Sequence, residues 1–188
     1  LEGFDLAAMG HNSADYIHTV VECMKLAYAD REFYYGDPQF ADPPLARLLC
    51  KEYAAERRKL VDAKKASKEL RPGGHDPISA LDIFGVDAVF GGSVSKPGDT
   101  TKLEVIDRAG NVVSATPSGG WLPSSPVIEG LGFPLGTRGQ MFSLVADHPN
   151  SLAPGKRPRT SLTPSIATRD SKAWMGFGSP GGDNQDQW

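Results

Sequence analysis

Three glycines near the C-terminal end of the chain are spaced as in a dinucleotide-binding turn. The run Gly176-x-Gly178-x-x-Gly181 follows an apolar segment, where such a turn would hold a pyrophosphate on backbone N–H groups. Pro180 stands where the turn should open a helix, and a single match of this kind is weakly specific. A dinucleotide-binding module is therefore kept only as a secondary hypothesis.

Other residues that often carry chemistry are scattered along the sequence. The histidines stand singly, at His11, His18, His75 and His148. Neither they nor the cysteines have the spacing of a metal site, and the sequence contains no Gly-x-Ser-x-Gly nucleophile elbow. The basic run Lys156-Arg-Pro-Arg159 could bind an anion, but a solvated loop is the simpler interpretation. We therefore expect no metal and no organic cofactor.

Composition and charge narrow the class of protein. The 188 residues carry 20 Lys and Arg against 23 Asp and Glu, which gives a formal charge of −3 and no reason to expect nucleic acid or a membrane surface as partner. No run approaches the roughly 18 apolar residues of a membrane-spanning helix. Cys23 and Cys50 both lie on predicted helical segments, where a buried thiol is simpler than a disulfide framework.

The front of the chain is predicted to be helical. From Asn12 onward, apolar residues recur at steps of three and four, with Asn12 or Ser13 as the N-cap, and the helix should end near Gly36. A second helix is predicted from about Leu45 to Leu60, with a charged, solvated face.

The distribution of glycine and proline changes near residue 71. Residues 1–70 contain 6 Gly and Pro, whereas residues 71–188 contain 30, so residues 71–99 are predicted to be a long loop or linker. Beyond it, β-rich runs predict a hairpin whose turn is Asp107-Arg-Ala-Gly-Asn111. The predicted strands are residues 101–106, 112–116, 141–145, 165–168 and 173–177. A helical front and a strand-rich back predict an α+β protein.

The ends of the sequence suggest a fragment. Leu1 is not an initiator Met, no targeting signal precedes Phe4, and the chain stops at Trp188 beside a Gly-rich turn. Any signal sequence would then lie in the missing part, so periplasmic, secreted and cytoplasmic locations all stay open.

Several separated blocks resemble, in order and spacing, the gamma-glutamyltransferase (gamma-glutamyltranspeptidase) family. They are Asp99-Thr100-Thr101, the hairpin ending Asp107-Arg-Ala-Gly-Asn111-Val-Val-Ser-Ala-Thr116, Pro154-Gly-Lys-Arg-Pro-Arg-Thr-Ser161-Leu-Thr-Pro164-Ser-Ile166 and Gly178-Ser-Pro-Gly-Gly182. The segments Leu1-Glu-Gly-Phe-Asp5, Ala27-Tyr-Ala-Asp-Arg31 and Tyr35-Gly-Asp-Pro38 resemble the end of that family's large subunit. The resemblance therefore spans nearly the whole chain.

This resemblance implies an N-terminal-nucleophile hydrolase with a four-layer αββα sandwich, made as a precursor that cuts itself. The scissile bond is then Asp99–Thr100. Thr100 supplies the nucleophilic hydroxyl and, once freed, an α-amine with an ordinary pKa near 8 that can act as base. By the same resemblance, residues 1–70 are the helical end of the large subunit, 71–99 the linker before the processing site and 100–188 the start of the small subunit. The plain alternative is a strand that begins with two β-branched threonines.

The resemblance also assigns roles residue by residue. Ser118 stands where the family has a hydroxyl that bonds the nucleophile's amine and assists processing. Gly181 and Gly182 offer backbone N–H groups to the oxyanion, a kind of donor worth about 3 kcal/mol. Thr160 and Ser161 occupy the paired hydroxyl positions that bind the glutamyl α-carboxylate.

Two departures concern the substrate's amino group. The run Gly136-Thr-Arg-Gly-Gln140-Met-Phe142 has no carboxylate where the family places the acid that pairs with the α-ammonium, so Gln140 takes that place or the acid is missing. Gly120 replaces the family's Asn on the substrate side. Arg138 would further disfavour a cationic amino group if its side chain points inward.

The resemblance thus implies a self-processing, glutathione hydrolase-like enzyme that cleaves γ-glutamyl or similar acyl amides through an acyl-threonine and transfers the acyl group to water or an amine. The alternatives are a cephalosporin- or glutaryl-acylase-like amidohydrolase, a non-catalytic homologue, or the dinucleotide-binding module. The expected partners are a small-molecule amide and the rest of the protein's own large and small subunits. Without those parts, this piece is expected to be inactive.

Overall fold

A computed structural model describes residues 1–78, 100–119, 126–136 and 138–180. The chain divides into two compact units. The first, here called the helical unit, consists of Leu1–Ser93 and Ser143–Arg157; the second, the strand unit, consists of Val94–Phe142 and Pro158–Trp188. The predicted mixture of helix and strand is confirmed.

The helical unit contains four helices among its described residues. They are α1 (Leu6–Met9), α2 (Ala14–Tyr34), α3 (Leu45–Leu48) and α4 (Lys51–Arg58). None of them is both long and apolar enough to cross a membrane. The long helix carries buried carboxylates, so its inward face is partly polar.

Helix α2 agrees with the prediction. The Ser13 hydroxyl caps it by accepting a hydrogen bond from the Tyr16 N–H at 3.1 Å, and Asp15 lies in the first turn, where a negative charge is favourable. The helix ends at Tyr34, because Tyr35 is already extended.

The single helix predicted from Leu45 to Leu60 is wrong, because two short helices take its place. The break falls at Leu49 and Cys50, and α4 begins anew when the Cys50 Sγ accepts a hydrogen bond from the Tyr53 N–H at 3.4 Å. Cys50 is therefore an N-cap rather than a residue within a helix. Thiols are uncommon caps, which is why the sequence pattern did not show this boundary.

Asp30 on α2 is the centre of a buried polar cluster. One carboxylate oxygen accepts the Tyr53 hydroxyl at 2.8 Å, and the other accepts the Gly73 N–H at 2.7 Å and lies 3.3 Å from Arg57. Burial, together with this carboxylate, raises the pKa of Tyr53 well above its usual range. The cluster therefore holds α2 and α4 to the chain around residue 73 through two hydrogen bonds and an ion pair on one carboxylate.

Glu22, about two helical turns before Asp30, is also buried and paired. It is 1% exposed and accepts hydrogen bonds from Lys25 at 2.6 Å, Arg71 at 3.4 Å and the Ser67 N–H at 3.3 Å. Burial alone would raise the pKa of Glu22, but these donors hold it below its ordinary value.

Asp37 joins two distant stretches of the same unit. It is 3% exposed and accepts three hydrogen bonds from Arg157, from the backbone N–H at 2.8 Å, Nε at 3.2 Å and Nη2 at 3.0 Å. These bonds hold the pKa of Asp37 well below its usual range. Arg157 of the basic run is thus part of the helical unit's architecture, not a purely solvated residue.

The strand unit is built on two antiparallel hairpins. The first pairs β1 (Leu103–Ile106) with β2 (Val112–Ala115), and the second pairs β3 (Ser165–Arg169) with β4 (Lys172–Phe177). The strands predicted in these four places are confirmed. The run 141–145, also predicted to be a strand, is not one. It begins in the 3-10 helix Arg138–Met141, and its one bridge to another part of the described chain joins Ser143 to Ser151.

Candidate active site

The turn of the first hairpin fixes the register of its strands. Asp107 accepts hydrogen bonds from the N–H groups of Ala109 and Asn111, both at 2.9 Å, and from the Asn111 side chain at 2.7 Å. The Asn111 side chain and backbone thereby lower the pKa of Asp107. Gly110 has φ +86°, a conformation that favours glycine. The result is the pairing of Leu103 with Ala115.

This register brings Thr100 opposite Ser118. The two residues form an isolated antiparallel bridge that continues the pairing of β1 with β2, and the Thr101 N–H donates to the Pro117 carbonyl at 2.9 Å. The Thr100 and Ser118 hydroxyl oxygens lie 2.8 Å apart, a normal hydrogen-bond distance between two hydroxyls. The two hydroxyl residues that the family resemblance named are therefore in contact.

Arg138 completes a cluster with these two hydroxyls. It begins the 3-10 helix Arg138–Met141, and its Nη2 donates to the Ser118 Oγ at 3.3 Å. Its Nε and Nη1 are buried and have no hydrogen-bond partner among the described residues. The side chain therefore points inward, towards the hydroxyl pair. We call Thr100, Ser118 and Arg138 the hydroxyl–guanidinium cluster.

Gln140 lies on the same 3-10 helix but is exposed to solvent. The structure thus turns Arg138, and not Gln140, towards the nucleophile candidate. The sequence analysis raised this orientation of Arg138 but could not decide it, because 19 residues separate Arg138 from Ser118 in the sequence.

Thr160 and Ser161 differ in their surroundings. Ser161 is 1% exposed, whereas Thr160 is exposed and its Oγ1 accepts the Leu162 N–H at 3.1 Å. Both residues belong to the strand unit, as Thr100 does. Their joint role in binding a carboxylate stays a prediction.

The C-terminal end of β4 lies against the first hairpin. The Ser114 hydroxyl donates to the Phe177 carbonyl at 3.4 Å, and a Cβ on Gly178 would stand 2.4 Å from the Lys102 Cε and 3.0 Å from the Thr163 carbonyl oxygen. Glycine at 178 thus lets the end of β4 approach Lys102 closely. Lys102 lies two residues after Thr100 in the sequence. The end of β4 is thereby placed near the residues that follow Thr100.

This geometry argues against the dinucleotide hypothesis. The fingerprint needs a strand of a parallel βαβ unit, but β4 pairs antiparallel with β3. A Cβ on Gly176 would stand 2.7 Å from the Glu104 Cγ, so this glycine, like Gly178, has a packing explanation.

Lys102 is a member of this site that the sequence analysis missed. Its side chain is 9% exposed, forms an ion pair with Glu104 and donates to the Ser114 hydroxyl at 2.6 Å. The period of two along β1 puts residues 102 and 104 on one face, and the hairpin register puts Ser114 opposite Glu104, so the strand pattern contained this signal.

Four of the residues assigned by resemblance lie outside the described part of the chain. They are Asp99, Gly120, Gly181 and Gly182. The predicted linker is likewise described only as far as residue 78. Within the described ranges, no group of three or more His, Cys, Asp or Glu residues is placed to hold a metal ion.

Comparisons with known proteins give one consistent family. The family model described as gamma-glutamyltranspeptidase matches residues 1–188. The glutathione hydrolase proenzyme of Pseudomonas sp. (strain A14) is 34% identical over 195 residues, covering 97% of this chain and 31% of that protein.

Two solved structures are also similar to this chain. The structure of LmbA2991T421A has a TM-score of 0.78 at 56% identity, covering 95% of this chain and 31% of that chain. The crystal structure of cephalosporin acylase from Bacillus halodurans has a TM-score of 0.67 at 30% identity, covering 94% of this chain and 28% of that chain. The present chain thus spans about a third of the length of the proteins that it matches.

Proposed function

Because the chain belongs to the gamma-glutamyltranspeptidase family, we propose that it is the part of a self-processing amidohydrolase that carries the nucleophile, Thr100. The observation that carries the proposal is the 2.8 Å contact between the Thr100 and Ser118 hydroxyls, set by the hairpin register. An unactivated hydroxyl is a weak nucleophile, and a partner that can accept or orient its proton is what a nucleophilic threonine needs.

The proposed processing step is an attack of the Thr100 hydroxyl on the carbonyl carbon of Asp99. The hydroxyl proton passes to the leaving amine, the peptide bond breaks, and an ester forms between the Asp99 acyl group and the Thr100 oxygen. Water then hydrolyses this ester, which leaves a new carboxyl end at Asp99 and a free α-amine on Thr100. Ser118 would orient the nucleophile during both events.

In turnover, the same hydroxyl attacks the carbonyl of an amide substrate, with the freed α-amine of Thr100 as general base. The amine of the substrate leaves, and the acyl-Thr100 ester is resolved by water or by an acceptor amine. The N–H groups of Gly181 and Gly182 are the proposed oxyanion donors. The close approach of Gly178 to Lys102 supports this role, because it brings the chain three residues before Gly181 beside the chain two residues after Thr100.

For the subunit organisation, we propose that residues up to Asp99 end the large subunit and that Thr100 begins the small one. The finer fold, a four-layer αββα sandwich, is likewise a proposal. The exposed apolar side chains of the hairpins support it, among them Val105 at 56%, Val113 at 55% and Trp174 at 51%. Layers supplied by the rest of the protein would cover these faces.

The acyl group is the point on which two candidate functions differ. The first candidate is a glutathione hydrolase, which acts on a γ-glutamyl group that carries an α-ammonium. The second candidate is an acylase of the cephalosporin type. Arg138 favours the second, because its buried guanidinium faces the hydroxyl pair and the nearby Gln140 is neutral and exposed. A buried cation disfavours a second cation at short distance.

The function is tested on the full-length protein by following self-cleavage on gels and turnover of γ-glutamyl- and glutaryl-p-nitroanilide. The wild type should give two fragments and release p-nitroaniline, and Thr100→Ala should do neither. Thr101→Ala is the matched control, since it removes the neighbouring hydroxyl and should leave cleavage intact. An uncut, folded wild type that releases no p-nitroaniline would contradict the proposal.

A further inference from the structure

We infer that Lys102 is a positioning residue of the proposed reaction. Its ion pair with Glu104, here called the spacer pair, sets how closely the end of β4 approaches the chain that follows Thr100. This inference rests on the proposed function, since it assumes that Thr100 attacks and that groups beyond Gly178 stabilise the oxyanion. It deepens that proposal by giving a role to an ion pair that neither proposed step uses.

The hairpin register places Lys102 between two pairs of polar side chains. Thr100 lies opposite Ser118, and Glu104 lies opposite Ser114, in one continuous register. Side chains alternate between the two faces of an extended strand, so residues 100, 102 and 104 share a face. The spacer pair therefore begins two residues from the nucleophile candidate, on the same face of the hairpin.

Lys102 is held inside the strand unit rather than extended into solvent. Its side chain is 9% exposed, whereas a surface lysine normally keeps its ammonium in water. The Nζ pairs with Glu104 and donates to the Ser114 hydroxyl at 2.6 Å. Thr116, at the paired position across the hairpin, is 6% exposed. Because two partners fix the ammonium, the stem of Lys102 is held in one arrangement, as a spacer requires.

The end of β4 lies directly on the spacer pair. A Cβ on Gly176 would stand 2.7 Å from the Glu104 Cγ, and a Cβ on Gly178 would overlap the Lys102 Cε and stand 3.3 Å from its Cδ. Glycine at both positions thus lets the backbone rest on the two side chains. The placement of these side chains therefore limits how near β4 comes to the hairpin.

A hydrogen bond fixes β4 on the spacer pair. The carbonyl of Phe177, between the two glycines, accepts the Ser114 hydroxyl at 3.4 Å, and the same hydroxyl accepts from Lys102. A hydroxyl that accepts from an ammonium keeps its proton for another acceptor, here this carbonyl or Glu104 at 3.5 Å. Lys102 thus acts through β4 on the chain beyond Gly178, and a misplacement of about 1 Å in such groups can cost about 100-fold in rate.

The experiment measures kcat and KM of the full-length, self-cleaved protein with γ-glutamyl- and glutaryl-p-nitroanilide, with cleaved molecules counted by intact mass. Lys102→Met keeps an unbranched stem and removes the ammonium, so kcat should fall about 10- to 50-fold while KM changes less than about threefold. Lys102→Arg keeps the charge and should restore part of kcat. Arg108→Met removes an exposed cation from the turn of the same hairpin and should leave both constants unchanged.

Glu104→Gln tests the spacer pair from its other side. It should also lower kcat, and the double variant Lys102→Met/Glu104→Gln should lose little more than Lys102→Met alone, because the two side chains act as a unit. Fully additive losses would overturn the inference, since the two side chains would then act independently. Should Lys102→Met not fold, Glu104→Gln alone decides, and an unchanged kcat in it overturns the inference.

An unchanged kcat per cleaved molecule in Lys102→Met would also overturn it, even with a lower yield of folded protein, because Lys102 would then serve stability alone. A rise in KM without a fall in kcat has the same meaning. If the wild type releases p-nitroaniline from neither anilide, the proposed function fails, and amide hydrogen exchange across β4 decides the spacer separately. Faster exchange in Lys102→Met than in Arg108→Met then supports the spacer, and equal exchange rejects it.

Discussion

The helical unit and the strand unit differ in how their buried charge is paired. In the helical unit, the buried carboxylates of Glu22, Asp30 and Asp37 each have several donors, and Arg57 and Arg71 beside them each leave Nε buried without a hydrogen-bond partner in the described part of the chain. In the strand unit, Arg138 leaves both Nε and Nη1 buried without a partner among the described residues, beside two hydroxyls in contact. Buried carboxylates and guanidinium groups that pair with one another are typical of architecture, whereas a guanidinium left partly unpaired beside a nucleophile is typical of a functional site.

The largest expected effect is on the stability of the helical unit, and it tests whether the buried Asp30 cluster is structural. Asp30→Ala leaves the Tyr53 hydroxyl, the Gly73 N–H and Arg57 without their common acceptor, so the free energy of unfolding should fall by about 3 to 5 kcal/mol. Urea unfolding measures the change, with Glu56→Ala, an exposed residue of α4, as the control. A loss below about 1 kcal/mol would mean that this cluster is not structural.

The second effect lies in the strand unit and concerns rate rather than stability. Ser118→Ala removes the hydroxyl that joins Thr100 to Arg138, so self-cleavage should slow by about 10- to 100-fold while the unfolding midpoint changes little. Ser118→Thr keeps a hydroxyl and should retain most of the rate. Equal rates for Ser118→Ala and the wild type in a timed cleavage assay would break the contrast, because the cluster would then have no chemical role.

A smaller effect is expected at the close approach of β4 to β1. Gly178→Ala places a methyl group against the Lys102 side chain and the Thr163 carbonyl, so Lys102 must turn away and the backbone at 163 or 178 must give by a few tenths of an ångström. If this contact positions the proposed oxyanion donors, turnover should fall about tenfold. At Gly136 a Cβ would meet nothing within 4 Å, which makes Gly136→Ala the matched control. The anilide assay measures both variants. Identical rates for the two variants would mean that this contact does not position the proposed oxyanion donors.

The smallest effect is a pH dependence in the helical unit. Because the pKa of Asp37 is lowered by Arg157, its ionised form contributes stability above the ordinary pKa of about 4 and loses it as the pH falls towards the lowered value. Asp37→Asn should therefore lower the urea midpoint at pH 7, and the difference from wild type should shrink on acidification. Asp42→Asn, at an exposed acid, is the control. A difference that stays constant down to low pH would contradict the assignment.

The elements that the sequence predicted well are those whose local signals agree. Helix α2 combines a Ser13 cap with regular apolar spacing, and the first hairpin combines β-branched runs with an Asp-to-Asn turn. The wrong predictions concern segments in which only one local signal was present. The run 141–145 is apolar but has no strand partner, and Leu144 is 88% exposed. The break at Cys50 depended on a thiol cap that no pattern indicates.

The candidate site follows the same logic. The turn fixes the register, and the register places Thr100 opposite Ser118, so this pair was predictable from the hairpin together with the family resemblance. Arg138 begins a short 3-10 helix outside the hairpins, and the placement of such a segment depends on contacts far apart in the sequence, so its inward orientation needed the structure. The same holds for the approach of Gly178 to Lys102, which joins two separate hairpins.

The central claim, that Thr100 is the nucleophile, is tested most directly by trapping the acyl group. The full-length, self-cleaved protein is mixed with glutaryl-p-nitroanilide, quenched in acid during turnover and analysed by peptide mass spectrometry. The account predicts a glutaryl group on the peptide whose first residue is Thr100, and none in Thr100→Ala. A glutaryl group on any other residue, or continued turnover by Thr100→Ala, would contradict it.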